Sequence, residues 1–158
     1  MKLSTHFALE EFLRNSAGLL NVPPDDAIRR MSMLCNLTME PIRALWGSTQ
    51  WGMAININSG YRSAAVNAAV KGSPKSQHLI GEACDWVPML TDGTLCRSQE
   101  VIKNLCGLIT RQGIPYDQMI FYQSERPFVH ISLKSSGNRK QRLWTPASGG
   151  AEGPYHSW

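Results

Sequence analysis

Apolar residues recur at helical spacing in several parts of the chain. A short amphipathic helix is predicted at about residues 8–15, and a longer apolar stripe predicts a second helix over about 26–46. Pro41 should kink or divide the long helix, because proline has no backbone N–H to donate. Further helices are predicted at 64–70 and 98–112.

Alternating and β-branched segments predict strands between and after these helices. Four are expected, at residues 54–58, 80–87, 116–122 and 128–133. The last two flank a short polar turn and should form an antiparallel hairpin. Within the second strand, Ala83 and Asp85 share one face, while Glu82 and Cys84 point to the other. The order of elements predicts an α+β fold, with N-terminal helices packed on a small antiparallel sheet.

The length of 158 residues suits one domain with a single hydrophobic core. We expect this domain to span residues 1–144, and the small, polar segment 145–158 to be a flexible tail. No apolar run approaches the roughly 18 residues needed for a membrane span. The first residues lack the apolar core of a signal peptide, so we expect synthesis in the cytoplasm without one. A target outside the cell would then be reached after release or within a particle.

Charge and cysteine content exclude some classes of protein. The net charge of +4 suits an anionic polymer such as a bacterial wall, and no nucleic-acid-binding motif is visible. The four cysteines show no CxxC spacing, so reduced thiols are expected rather than disulfides. Nothing in the sequence argues against a monomer.

The candidate chemistry lies in two histidines and one aspartate. His78 and Asp85 are seven residues apart in a glycine-containing segment, and His130 lies far downstream in a predicted strand. Two imidazoles and one carboxylate are a ligand set of catalytic zinc, which keeps a fourth position open. Taken singly, each has an ordinary structural explanation: His130 as a core histidine, Asp85 as a turn cap.

The residues around these positions resemble a known family. The segments SGYRS (59–63), SxHxxGxAxD (76–85) and VHIS (129–132) are similar to those of the zinc D-Ala-D-Ala carboxypeptidases and L-alanyl-D-glutamate endopeptidases of peptidoglycan. That family shares its fold with the hedgehog signalling domain. The similarity runs from about residue 4 to 143, and the segments FALEEF (7–12) and YDQMI (116–120) resemble its phage and prophage branch.

The resemblance implies roles for individual residues. His78, Asp85 and His130 would bind Zn²⁺, and Arg62 would contact the substrate carbonyl or the developing oxyanion. Ser76 would orient its loop or hydrogen-bond the substrate. The implied substrate is a peptide bond in the peptidoglycan stem.

The general base departs from the family pattern. Many relatives carry an acidic residue three positions before the last histidine, or a glutamate at the end of the preceding strand. Here those positions hold Pro127 and the pair Phe121-Tyr122. Glu125 is therefore the first candidate for the base and Asp117 the reserve, although Glu125 could equally be an exposed turn residue.

Two main functions follow as expectations. The first is a zinc metallopeptidase that hydrolyses peptidoglycan stem peptides, as a carboxypeptidase or an endopeptidase, with a phage endolysin as one form. The alternative is a non-catalytic, zinc-containing module that binds the cell wall or serves in a virion. An interaction domain without metal stays open as a third class.

Overall fold

The computed structural model describes residues 1–146 and 154–158. Within these ranges the chain forms α-helices and a six-stranded sheet, so the predicted α+β class is confirmed. The helices are α1 (Leu9–Leu13), α2 (Asp25–Leu34), α3 (Glu40–Gly47), α4 (Ala64–Ala69) and α5 (Gln99–Arg111). The strands are β1 (Gly52–Ser59), β2 (Ala83–Leu90), β3 (Gln118–Tyr122), β4 (Phe128–Ser132), β5 (Gln141–Thr145) and β6 (His156–Ser157).

The strands lie side by side in the order β1-β2-β4-β3-β5-β6. All neighbouring pairs are antiparallel except β3 and β5, which run parallel. The predicted hairpin is β3 and β4, and it places β4 beside β2 in the middle of the sheet. This adjacency matters because β2 and β4 carry two of the three candidate ligands.

The helix predicted over 26–46 is divided as Pro41 suggested. A π-helical turn, Cys35–Met39, separates α2 from α3, and Pro41 lies in the first turn of α3. Since Pro41 has no N–H, it cannot continue the i→i−4 bonds, and the hydrogen-bonding pattern changes in the turn just before it, where Glu40 N–H bonds to the Cys35 carbonyl. The buried faces of α2 and α3, including Met31 and Trp46, join the sheet residue Trp86 in one hydrophobic core.

The described residues of the C-terminal segment add two strands to the sheet. Thr145 is the last residue of β5, and His156 and Ser157 form β6, which pairs with β5. The stacking of His156 on Trp144, with ring centroids 4.6 Å apart, accompanies this pairing. Residues 147–153 of the predicted tail lie outside the described residues.

The four cysteines are free and buried, as the absence of paired spacing suggested. In the part of the chain that the structure describes, no helix has the length and apolar character needed to cross a bilayer.

Candidate metal centre

A short 3-10 turn at Gln77–Ile80 positions His78 just before the start of β2. Ser76 caps this turn, and its hydroxyl accepts a hydrogen bond from the backbone N–H of His78 at 3.4 Å. Gly81 then adopts a left-handed conformation with φ 77°, which directs the chain into β2. This is the loop-orienting position suggested for Ser76, whereas its contact with substrate stays a prediction.

Asp85 and His130 are direct neighbours across the sheet. Asp85 on β2 pairs with His130 on β4, and His130 pairs in turn with Ile120 on β3. Directly opposed residues in an antiparallel pair project to the same face, with Cβ atoms about 4.5–5.5 Å apart. The register therefore brings a carboxylate and an imidazole together although 45 positions separate them in sequence.

Three donor atoms converge at this point. His78 Nε2 lies 3.2 Å from His130 Nδ1 and 3.2 Å from Asp85 Oδ1, and His130 Nδ1 lies 2.9 Å from the same oxygen. Tetrahedral zinc, with bonds of about 2.0–2.2 Å, separates its ligand atoms by roughly 3.3–3.5 Å. The observed triangle is within a few tenths of an ångström of that size.

The tautomer of His78 makes this triangle suited to a cation. Its Nδ1 lies 2.6 Å from the carbonyl oxygen of Gly60, which can only accept, so Nδ1 carries the proton. In the neutral ring Nε2 then presents a lone pair to Asp85 Oδ1, which is also an acceptor. A metal ion between them would turn this unfavourable pair into two coordinate bonds, and a carbonyl behind a metal-binding histidine is the usual arrangement.

Gly60 is fixed by close packing as well as by this hydrogen bond. A Cβ atom at residue 60 would lie 2.6 Å from Cβ of Phe12, too close for any real contact. Phe12 itself is fully buried in α1. The glycine therefore lets the backbone come near α1 and hold its carbonyl toward His78.

Arg62 holds the other oxygen of Asp85. Its Nη2 donates to Asp85 Oδ2 at 2.6 Å, while its Nε donates to the hydroxyl of Ser59 at 2.9 Å. Burial alone would raise the pKa of Asp85, but His78 and His130 outweigh it when their rings are protonated, and their charge and N–H donors then hold that pKa well below its usual range. Burial lowers the pKa of His130 despite Asp85, which favours the neutral imidazole that a metal binds.

The three ligand candidates lie in a cleft of about 720 Å³. Its other walls come from the loop between α4 and β2, one face of the β3–β4 hairpin, and the segment after β4. The described residues that line it include Arg62, Ser73, Lys75, Ser76, Gln118, Ile120, Tyr122, Phe128, Lys134, Arg139 and Tyr155. Most of these side chains are polar, which suits a hydrophilic substrate more than an apolar ligand.

The two carboxylates predicted as candidates for the base are not among the described residues that line the cleft. Glu125 is exposed in the β3–β4 loop and is not among the described residues that line the cleft. The pairing of β3 with β4 ends at Tyr122 and Phe128, and Glu125 lies beyond it in the exposed turn. Asp117 is fully buried and ion-paired with Arg139 and Lys134. Arg62 lies beside the candidate centre, where its Nη2 donates to Asp85, and its contact with substrate stays a prediction.

Several cleft residues were missed by the sequence analysis. Tyr122 ends β3 and stacks on Phe128, with ring centroids 4.4 Å apart and nearly parallel planes. Its hydroxyl is 3.4 Å from that of Tyr155, which precedes β6. The period-two alternation from Gln118 through Ile120 to Tyr122 could have placed Tyr122 beside His130; nothing local could have placed Tyr155.

Comparison with known proteins supports this interpretation of the geometry. The family model described as Peptidase M15 matches residues 6–132, most of the chain and all three candidate ligands. No curated protein matches the chain.

Proposed function

The chain belongs to the Peptidase M15 family, and from this premise we propose that it is a zinc-dependent peptidase acting on the stem peptides of bacterial peptidoglycan. One observation carries the proposal: the donor triangle of His78, Asp85 and His130 lies inside a polar cleft. The three ligand atoms all lie within 4.8 Å of one another. A histidine buried only as a core residue would not need a second imidazole and a carboxylate beside its ring nitrogen.

The fit of the donor set defines what a metal would contribute. Zinc held by two imidazoles and one carboxylate supplies a Lewis acid and lowers the pKa of water at its open position to about 7. The protein contributes the positions of the ligands, through the carbonyl of Gly60 behind His78 and the guanidinium of Arg62 behind Asp85. Such partners set ligand orientation and metal affinity.

Arg62 is also suited to stabilise negative charge in the reaction. Its bonds to Asp85 and Ser59 use Nη2 and Nε, and no residue of the described ranges engages Nη1. The side chain lines the cleft, so the remaining N–H groups can donate to a substrate carbonyl as its oxygen gains charge. A fixed guanidinium needs little rearrangement at that moment.

Hydrolysis also needs a group that accepts a proton from the attacking water, and the described part of the cleft is poor in such groups. Among the described residues that line the cleft, Asp85 is the only carboxylate, and it is a candidate ligand. Tyr122 cannot replace a base, because burial raises its pKa far above the usual range and keeps the phenol a donor. A positioned general base contributes about 10²–10⁴-fold to rate, so we expect slow hydrolysis.

The scarcity of carboxylates among the described residues that line the cleft favours a second candidate function. A site with zinc ligands but no carboxylate base could hold a wall peptide without cutting it, as a binding module of the cell wall or of a virion. We place either function at the cell wall, reached after release from the cytoplasm or within a phage particle, with the chain acting as a monomer.

The test is digestion of intact peptidoglycan by the zinc-loaded protein, with and without a chelator, followed by mass spectrometry of released peptides. We expect new peptides whose release stops with the chelator, and their termini would identify the bond. The matched control is His130→Ala, which should release nothing. No release from walls of several cross-bridge types, with zinc bound, would favour the binding module.

A further inference from the structure

A buried carboxylate holds two cationic side chains at one end of the cleft. Asp117 has 0% of its side chain exposed, and its Oδ2 accepts from Arg139 Nη2 at 2.6 Å. Arg139 Nε lies 3.1 Å from both carboxylate oxygens, and Lys134 Nζ lies 3.4 Å from Oδ1. The backbone N–H of Arg139 donates to Oδ1 at 2.8 Å, which fixes the main chain as well.

This cluster carries a net positive charge that faces the cleft. Two cations share one carboxylate, and Arg139 and Lys134 keep 48% and 36% of their side chains exposed. Both line the cleft, whereas Asp117 does not. Since the anchor is buried and the cations are open, the guanidinium and ammonium groups are already oriented before any ligand arrives.

The register of the sheet gives the backbone separation between Asp117 and the strand position opposite His130. Ile120 is the cross-strand partner of His130, and Asp117 lies three residues earlier, just before β3 begins. At about 3.4 Å per residue, three residues correspond to roughly 10 Å along the sheet. An extended peptide covers that distance with about three residues.

We propose that Arg139 and Lys134, positioned by Asp117, form a carboxylate-binding subsite for a group about three residues from the hydrolysed bond. This inference rests on the proposed function and adds a specificity element to it. Oriented guanidinium and ammonium groups bind carboxylates through charge-assisted hydrogen bonds. A carboxylate attached directly beside the hydrolysed bond would lie too near the metal ligands to reach them.

Two carboxylates of a stem pentapeptide could occupy this subsite. One is the α-carboxylate of the γ-linked D-glutamate, and the other is the C-terminal carboxylate. The probes are therefore the pentapeptide L-Ala-γ-D-Glu-L-Lys-D-Ala-D-Ala, the same peptide amidated at the glutamate α-carboxylate, and the same peptide amidated at its C-terminus. Isothermal titration with chelator-treated protein measures binding without hydrolysis.

We expect one of the two amidations to weaken binding by about tenfold and the other to change it little, which identifies the source. Lys134→Gln should weaken binding of the unmodified peptide by about the same factor. It should leave binding of the sensitive amide unchanged. Lys134→Arg should restore the affinity for the unmodified peptide. Lys140→Gln is the matched control, because Lys140 is exposed nearby but is not among the described lining residues.

Equal affinity for all three peptides, or no binding of any of them at millimolar concentration, would overturn the subsite. The cluster does not include the metal ligands, so metal removal should leave it in place. Lys134→Gln loses only the 3.4 Å contact with Asp117, so the variant should fold. A protein that discriminates the amides but hydrolyses nothing would contradict the peptidase alone.

Discussion

Arg62 and Asp85 are joined by a 2.6 Å hydrogen bond, which gives the two oxygens of the Asp85 carboxylate different partners. Oδ2 is held by the guanidinium, and Oδ1 lies 2.9 Å from His130 Nδ1 and 3.2 Å from His78 Nε2. One oxygen is therefore anchored and the other is presented to the centre of the donor triangle.

Replacing Arg62 should weaken zinc binding although Arg62 is not a ligand candidate. Arg62→Gln frees Asp85 Oδ2, and loss of such a supporting bond typically costs about 10–100-fold in metal affinity. Competition titration against a chelator of known affinity measures the change. Arg62→Lys keeps the charge without the planar geometry and should fall between wild type and Arg62→Gln; unchanged affinity in both would show that Asp85 needs no such anchor.

Removing either imidazole should abolish metal binding and hydrolysis together. His78→Ala or His130→Ala leaves two ligands, which is fewer than the three protein ligands that catalytic zinc sites use. Atomic absorption after dialysis should find about one zinc per chain in the wild type and almost none in these variants. His6→Ala is the control, because His6 is half exposed and pairs with Glu40 rather than with the site. Peptide release by either variant would contradict the assignment.

A carboxylate introduced at position 122 should raise the rate of hydrolysis, whereas removal of the Glu125 carboxylate should change it little. Tyr122 lines the cleft at the end of β3, two residues after Ile120, the cross-strand partner of His130, whereas Glu125 is exposed. We expect Tyr122→Glu to raise the rate of peptide release by at least about tenfold, since a positioned base contributes about 10²–10⁴-fold. Glu125→Gln should leave the rate within about twofold of wild type, because surface changes seldom act on a distant site. A large loss in Glu125→Gln would restore the original assignment of the base.

Asp117 should make the fold sensitive to acid. Burial opposes its ionisation, but the hydrogen bonds from Arg139 and Lys134 outweigh this and lower its pKa to about 2. Because this is below the unfolded value of about 3.9, the carboxylate stabilises the fold fully above about pH 5 and loses that contribution as pH falls toward 2. The contribution is about 1–2 kcal/mol, allowing for the solvent around its partners.

Urea unfolding of the chelator-treated protein at several pH values between 7 and 2 measures this effect. Asp117→Asn should be less stable than wild type at pH 7 and should lose less stability over the acid range. Parallel pH profiles of the two proteins would contradict the role of Asp117. Asp92→Asn is a useful comparison, because Asp92 is an exposed carboxylate whose side-chain hydrogen bonds, among the described residues, go to nearby Thr94.

The local pattern of residues predicted much of the fold. The helices α2, α3 and α5 follow apolar stripes, and the division at Pro41 follows from the chemistry of proline. The β3–β4 hairpin follows from two strand-like segments around a short turn. Strand β5 was missed, because its five residues follow a basic, polar run and show little alternation; its pairing with β3 is visible only in the tertiary structure.

By itself, the sequence determined the candidate ligands, the α+β class and the family resemblance, because side-chain chemistry and local spacing are properties of the chain. Only the tertiary structure decided which polar groups share the cleft. The pairing of β2 with β4 sets Asp85 against His130, and the pairing of β3 with β4 moves Glu125 away while it brings Tyr122 in. Strand register depends on contacts between distant segments, so it decides the composition of a site that no local pattern contains.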